Sequence, residues 1–196
     1  MPRLLRVEQV QRNRALVLDA ARQVFVAHGY GGASLEAIAD EAGFSRGVVY
    51  SQFGSKADMF FALLDRRIEE RGQVNALIAQ EFGGAEGVRR LIEAGQDDDA
   101  AEPGWAHLLI EFRVLAMRDP VLRRRYAEAH ARTIDGISEA IERIYEPTGR
   151  QPPVPVRSIA EYVHAGGIAV ALERAANPTA CPTEDMLQLL LGAMAL

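Results

Sequence analysis

Residues 45–56 (SRGVVYSQFGSK) gather side chains that handle phosphates and base edges. The guanidinium of Arg46 has the donor geometry to read guanine O6 and N7. The hydroxyl of Tyr50 shares the outer face of this segment with Arg46 and Lys56, which favours a phosphate contact over a place in the core. Phe53 reads as core. Nothing comparable supports catalysis. There is no pair of Glu-x-x-His motifs from which to build a di-iron bundle, no Ser/His/Asp grouping and no phosphate loop. The lone Cys181 excludes an internal disulfide framework and a Cys-rich zinc site. The expectation is a binding protein that is not an enzyme and holds neither a resident cofactor nor a metal.

The elements that must position these residues are helices. Val17, Ala20, Ala21, Val24 and Phe25 recur at helical spacing, giving a first amphipathic helix that ends before Gly29. Ser34 is placed to cap a short helix through Ala42, stopped by Gly43, and Ser45 to cap a second one running to about Gln52. Ile38 and Val49 are apolar positions that pack the two together, Ala39 and Ala42 permit close crossing, and Phe44 plugs the turn. Two short helices joined by a tight turn behind a longer one are the pattern of a helix-turn-helix. Gly54 breaks the second. Ser55 and Asp58 form a capping box that opens a long helix carrying Phe60, Leu63, Leu64 and Ile68.

Further along, a helix around 88–92 is expected to end at the acidic run Asp97-Asp98-Asp99, and Pro103 opens the next. Trp105, Leu108, Leu109, Phe112, Leu115 and Ala116 share one face of it. Asp119-Pro120 punctuates before a helix that reaches Tyr145. Residues 146–155 read as a loop, and two last helices span about 156–175 and 183–195 around the turn Asn177-Pro178. Strand signals are nearly absent, so the fold class is all-α, with about nine helices.

The 196 residues, 48% hydrophobic and 25% charged, suffice for one or two domains with a buried core. The net charge of −5 conceals an asymmetry: through residue 56 seven basic residues face five acidic ones, whereas the remainder holds 15 basic and 22 acidic. A mildly basic head on an acidic body suits a polyanion-binding module joined to a second module. The N-terminus lacks a long apolar core, and no apolar run reaches the ~18 residues of a membrane span. The chain therefore reads as cytoplasmic, with no membrane partner.

Read whole, AARQVFVAHGYGGASLEAIADEAGFSRGVVYSQFGSKADMF resembles the N-terminal pattern of the TetR family of transcriptional regulators. The features that carry the likeness are Ala20, Ala21, Phe25, Gly29, Tyr30, Ile38, Ala39, Ala42, Gly43, Tyr50, Phe53 and Lys56. It covers about residues 10–65; beyond them it rests on helix count and a loose likeness around EFRVLAMRDP (111–120).

The resemblance implies a helix-turn-helix DNA-binding domain over 1–56 and a helical effector-binding and dimerisation domain over 57–196. The second short helix would enter the major groove, with Arg46 facing bases near its start. Gly47 and Val48 would approach base edges or thymine methyls, and Tyr50 would bond a phosphate. Ser51 and Gln52 would reach backbone or base. Ser34, Ser45 and Lys56 would add contacts at helix starts. Many relatives carry Thr or Ser where Val48 stands and a bulkier residue at Ser51 or Gln52, so no base code is implied. The whole would be a homodimeric, ligand-responsive regulator, most often a repressor, on a double-stranded, pseudo-palindromic operator.

Several features keep two readings. Arg3, Arg6, Arg12 and Arg14 form either a frayed basic tail or an arm near phosphates or the minor groove. Arg123-Arg124-Arg125 is a solvated or acid-partnered face, or a second nucleic-acid site. Asp97–Asp99 with Glu102 suggest a solvated loop before a cation site. His130, on the stripe of Tyr126, Ile134, Ile137 and Ile141, and His164 are core histidines or polar groups of a pocket for a small-molecule effector; Trp105 and Phe112 are core or pocket. Residues 186–196 (MLQLLLGAMAL) are apolar nearly all round, which points to burial against a second copy. Gly166, Val170, Leu187, Leu190, Leu191 and Met194 are the expected interface, in a pattern like the family's four-helix dimer contact. An all-α enzyme and a ligand-blind architectural DNA binder are the competing classes.

Overall fold

A computed structural model describes residues 2–101 and 103–194, without the side chains of 2–7, 97–101 and 103. The described residues form nine α-helices: α1 (Pro2–Gly32), α2 (Leu35–Ala42), α3 (Arg46–Phe53), α4 (Lys56–Glu81), α5 (Gly84–Ala101), α6 (Pro103–Ala116), α7 (Pro120–Tyr145), α8 (Val156–Ala176) and α9 (Thr183–Ala193). One 3-10 turn, Glu146–Thr148, lies between α7 and α8, and the described residues contain no strand. The all-α expectation holds.

The helix boundaries follow local chemistry. α1 kinks at Gly29, whose φ of 69° only glycine adopts at little cost. The Ser34 hydroxyl accepts from the Ala37 N–H at 3.1 Å, opening α2. Gly43 closes it in the left-handed region (φ 69°, ψ 26°), with its own N–H on Asp40 O and the Phe44 N–H on Ala39 O. Those two bonds satisfy carbonyls that an eight-residue helix would otherwise leave open. Asp119 caps α7 by accepting from the Val121 and Leu122 N–H groups, with Pro120 at the first helical position.

Besides the continuation of α1 past the Gly29 kink to Gly32, two boundaries differ from the sequence reading. α5 runs through the acidic run to Ala101, because three aspartates only lower helix propensity and no breaker precedes Pro103. Asp97, Asp98, Asp99 and Glu102, for which a cation site is the alternative reading, lie outside the described side chains. The N-terminal arginines are carried on α1 from Pro2, so this segment is helix and not a frayed tail; the side chains of Arg3 and Arg6 are outside the description.

The chain divides into two compact units, 1–67 with 107–126 and 68–106 with 127–196. The first therefore extends past residue 56, into α4 and on to parts of α6 and α7. Its core is aromatic. Phe112 is fully buried and stacks on Phe60 at 3.9 Å, and the edges of Tyr30 and Phe61 meet it at 4.9 and 5.4 Å. Such pairs contribute about 0.5–1.5 kcal/mol each beyond the area they bury. Phe112 thus belongs to this core and not to an effector pocket, because its ring is enclosed by its own unit.

The second unit packs Ala79, Val88, Ile92, Ile134, Ile141, Ile144 and Leu187 into one cluster. The Tyr145 hydroxyl donates to Met194 O at 2.5 Å inside it. Leu187 and Met194 are 1% and 3% exposed, so they face the core of their own chain, which corrects their assignment to a dimer interface. Met186, Leu190 and Leu191 are half-buried against the same cluster, and Leu189 points outward at 76% exposure. Trp105 is buried in this unit.

Candidate nucleic-acid interface

α2 and α3 are each too short to persist alone, and their stability comes from caps and from the apolar side they bury. Ile38, Ala39 and Val49 are wholly excluded from solvent and Phe53 nearly so. The Ser45 hydroxyl accepts from the Val48 N–H at 3.4 Å. Gly54 ends α3 in a γ-turn: its φ is 71° and ψ −51°, and the Ser55 N–H donates back to Phe53 O at 2.7 Å. Burying Val49 and Phe53 leaves the opposite side of α3 outward. Ser45, Arg46, Gly47, Tyr50 and Ser51 are exposed there, and Val48 and Gln52 are half-buried.

The outward residues are arranged rather than scattered. The Tyr50 hydroxyl donates to Glu36 Oε1 at 3.1 Å, linking α3 to α2. Glu36 is held below the usual carboxylate range, first by its own backbone N–H at the start of α2, then by the Tyr50 hydroxyl, with the Arg46 charge adding to the effect. The same bond and the Glu36 charge raise the Tyr50 hydroxyl above its usual value. Ser34, Glu36, Arg46 and Tyr50 thus form one polar face across the two helices. Ser51 turns its hydroxyl onto Val48 O at 2.8 Å, so that donor is held within α3. Gln52 has a buried Oε1 with no partner among the described residues, and its backbone O accepts from Arg14 at 3.2 Å. The Arg14 guanidinium lies 4.3 Å from the Phe53 ring centroid, which places Arg14 in the head's packing.

Lys56 departs most from the sequence reading. Its ammonium donates to Tyr30 O at 2.7 Å, Ala33 O at 3.0 Å and Gly31 O at 3.4 Å, and sits 4.5 Å from the Tyr30 ring centroid. These carbonyls close α1 around the Gly29 kink, where the helix leaves acceptors open and its dipole favours a cation. The other side of that turn is held by Glu111 of α6, whose carboxylate accepts from the Tyr30 N–H at 2.9 Å and the Gly31 N–H at 2.8 Å. A Cβ at Gly29 would overlap that carboxylate, so the position excludes side chains twice, by space and by backbone. Glu111 escaped the sequence reading because its partners are 80 residues away.

Ser55 and Asp58 make half of the expected capping box. The Ser55 hydroxyl accepts from the Asp58 N–H at 3.1 Å and donates to the Asp58 carboxylate at 2.5 Å, while the Ser55 N–H is spent in the γ-turn. Arg125 pairs with Asp58 at 2.8 Å and covers the Phe61 ring at 4.2 Å, the acid-partnered reading of the arginine triplet.

In the second unit the structure brings His130 and His164 together, edge to face, with ring centroids 5.2 Å apart, both half-buried. Gly166 and Val170 are half-buried on α8, where Tyr162 and Leu172 are 78% and 50% exposed. Among the described residues no group of three or more His, Cys, Asp or Glu is placed to hold a metal, and no helix is long and apolar enough to cross a membrane.

Known proteins share both parts of this arrangement. The family model described as bacterial regulatory proteins, tetR family, matches residues 17–63, and that of the BetI-type transcriptional repressor, C-terminal, matches residues 84–195. The HTH-type transcriptional repressor AcnR of Corynebacterium glutamicum is 26% identical over 144 residues, 74% of this chain and 72% of that protein. The HTH-type transcriptional activator FasR of Mycolicibacterium smegmatis is 43% identical over 56 residues, 29% of this chain and 26% of its own. Among solved structures, the fatty acid degradation regulator FadR from Bacillus halodurans matches with a TM-score of 0.78 at 21% identity, over 93% of this chain and 96% of that one. FadR from Bacillus subtilis in complex with stearoyl-CoA matches with a TM-score of 0.77 at 18% identity, over 91% and 98%. At these identities the structural matches speak for the fold.

Proposed function

Because the chain belongs to the TetR family of bacterial regulatory proteins and is a DNA-binding transcriptional regulator, we propose that it works as a homodimeric repressor released from its operator by a small molecule. The observation that carries the reading is the polar outer face of α3, capped by Ser45 and opposite the buried Val49 and Phe53. Arg46 at the first position of that helix reads a guanine, Gly47 and Val48 lie against neighbouring base edges, and Tyr50 and Ser34 hold phosphates. Ser51 and Gln52 supply packing and backbone order more than readout, since the Ser51 hydroxyl is engaged within the head and the Gln52 Oε1 is buried. The chain acts by binding alone, without turnover or resident cofactor, and a DNA partner implies a cytoplasmic place.

Dimerisation is supported by the exposed apolar side chains Tyr162, Leu172 and Leu189 on α8 and α9, which solvent does not favour and a second copy would cover. Two copies set their recognition helices on successive major grooves, so operator half-sites should lie about 34–36 Å apart or a multiple of that. The effector belongs in the second unit, where His130 and His164 supply polar groups beside an apolar cluster. Acyl-CoA esters are the first class to screen, given the ligand of the Bacillus subtilis FadR structure. The effector shifts DNA affinity only by its preference between two dimer states.

The test is selection of bound duplexes from a random pool, followed by a small-molecule screen for release. A recovered pseudo-palindrome supports the reading, and recovery of no sequence preference overturns it. Arg46→Ala should cost about 1–3 kcal/mol on the selected operator and relax discrimination at one base step.

A further inference from the structure

The polar face of the head contains an acid where an anion must dock. Glu36 lies in the first turn of α2, two residues after the capping Ser34, and its Oε1 takes the only donor that the Tyr50 hydroxyl has. Arg46 is near enough for its charge to act on both Glu36 and Tyr50. A phosphate arriving at Tyr50 needs that same donor and brings negative charge toward the carboxylate. Both cannot be served at once. We infer that Glu36 is an intramolecular stand-in for phosphate: in the free protein it occupies the Tyr50 hydroxyl, and every duplex must displace it before the head can seat. This inference rests on the assignment of Tyr50 to a DNA phosphate.

The consequence is a brake on binding that does not depend on base sequence. Non-specific complexes are made of phosphate contacts, so a competitor for a phosphate-binding hydroxyl weakens them directly. A regulator faces a vast excess of non-specific sites, and a head that grips any duplex would be withdrawn from its operator. The geometry suits that purpose, because the carboxylate is part-exposed on α2 and reaches α3 through one bond that a phosphate oxygen can replace. The same carboxylate also favours the start of α2, so its removal trades a little helix stability for stickiness.

The experiment uses the full-length protein and a mixed random-sequence duplex at one fixed salt concentration. Glu36→Ala should bind that duplex about three- to tenfold more tightly than the parent, and Glu36→Gln, which keeps an uncharged acceptor, by less. A gain of affinity cannot come from misfolding. Tyr50→Phe alone should weaken binding, and in its background Glu36→Ala should lose most of its gain, because no hydroxyl remains to be released. Glu36→Ala binding no more tightly than the parent overturns the inference. An undiminished gain in the Tyr50→Phe background also overturns it, reducing Glu36 to a simple repelling charge. Tyr50→Phe without effect removes the phosphate assignment itself, and the inference with it.

Discussion

Replacing Lys56 with Met removes the ammonium while keeping a flexible, largely apolar stem of similar length. The ammonium serves two carbonyls at 2.7 and 3.0 Å and a third at 3.4 Å, and lies over the Tyr30 ring. Hydrogen bonds to a charged group contribute about 1.5–3 kcal/mol when sheltered. Lys56 is half-buried, so about half of the lower end of that range for each of two bonds, with about 0.5 kcal/mol from the ring, gives roughly 2 kcal/mol. For a chain of this size that is a fall of about 4–8 °C in melting temperature. Because these contacts close the α1 turn rather than face outward, the variant should lose operator affinity without losing a counterion. The slope of log K against log salt should stay within a few tenths of the parent's, whereas loss of a phosphate contact would reduce it by about 0.9. Thermal melting and a salt titration of binding to the selected operator measure both quantities. An unchanged melting temperature with a slope reduced by about one would refute the structural role and restore Lys56 to the DNA surface.

Gly54→Ala should destabilise the head by about 1–3 kcal/mol, because φ of 71° with ψ of −51° is strained for any side chain; chemical denaturation measures it. Asp58 is held below its usual carboxyl value by the Ser55 hydroxyl and then by Arg125. Its contribution is thus complete above the unfolded value of 3.8 and is lost as pH falls through the lower folded value. An acid titration of Asp58→Asn followed by circular dichroism should accordingly show a shallower loss than the parent below about pH 4. Leu189→Arg places a charge on the exposed apolar side of α9 and should shift sedimentation toward the monomer and weaken operator binding, with little change in secondary structure.

The helix-turn-helix was legible because its signals are local. Ser34, Gly43 and Ser45 mark helix ends within three or four residues of the bonds they make, and the buried Ile38, Val49 and Phe53 follow helical spacing. The acidic run at 97–99 misled for the converse reason, since propensity is weak beside the absence of a breaker. Arg14 reads from the sequence as part of a tail or an arm, although its guanidinium lies over the Phe53 ring and donates to Gln52 O, contacts between segments that periodicity does not report. Glu36 had a visible hint, as an acid in the first turn of α2 beside the proposed contact residues, but its bond to Tyr50 depends on how α2 crosses α3.

By itself, then, the sequence determined the all-α class, most helix limits, the reading head and its exposed Arg46, because periodicity, caps and glycine conformations act within a turn or two of chain. Only the tertiary structure decided which side of the apolar α9 is core: Leu187 and Met194 face inward and Leu189 outward, a choice made by α5 and α7 residues such as Ile92 and Ile144. It also decided that Phe112 completes the head's aromatic core and that Lys56 and Glu111 grip one turn of α1 from its carbonyl and amide sides. The Glu111 bond to the Tyr30 N–H alone spans 81 positions, and a charge or ring takes whichever partner the packed helices bring within reach.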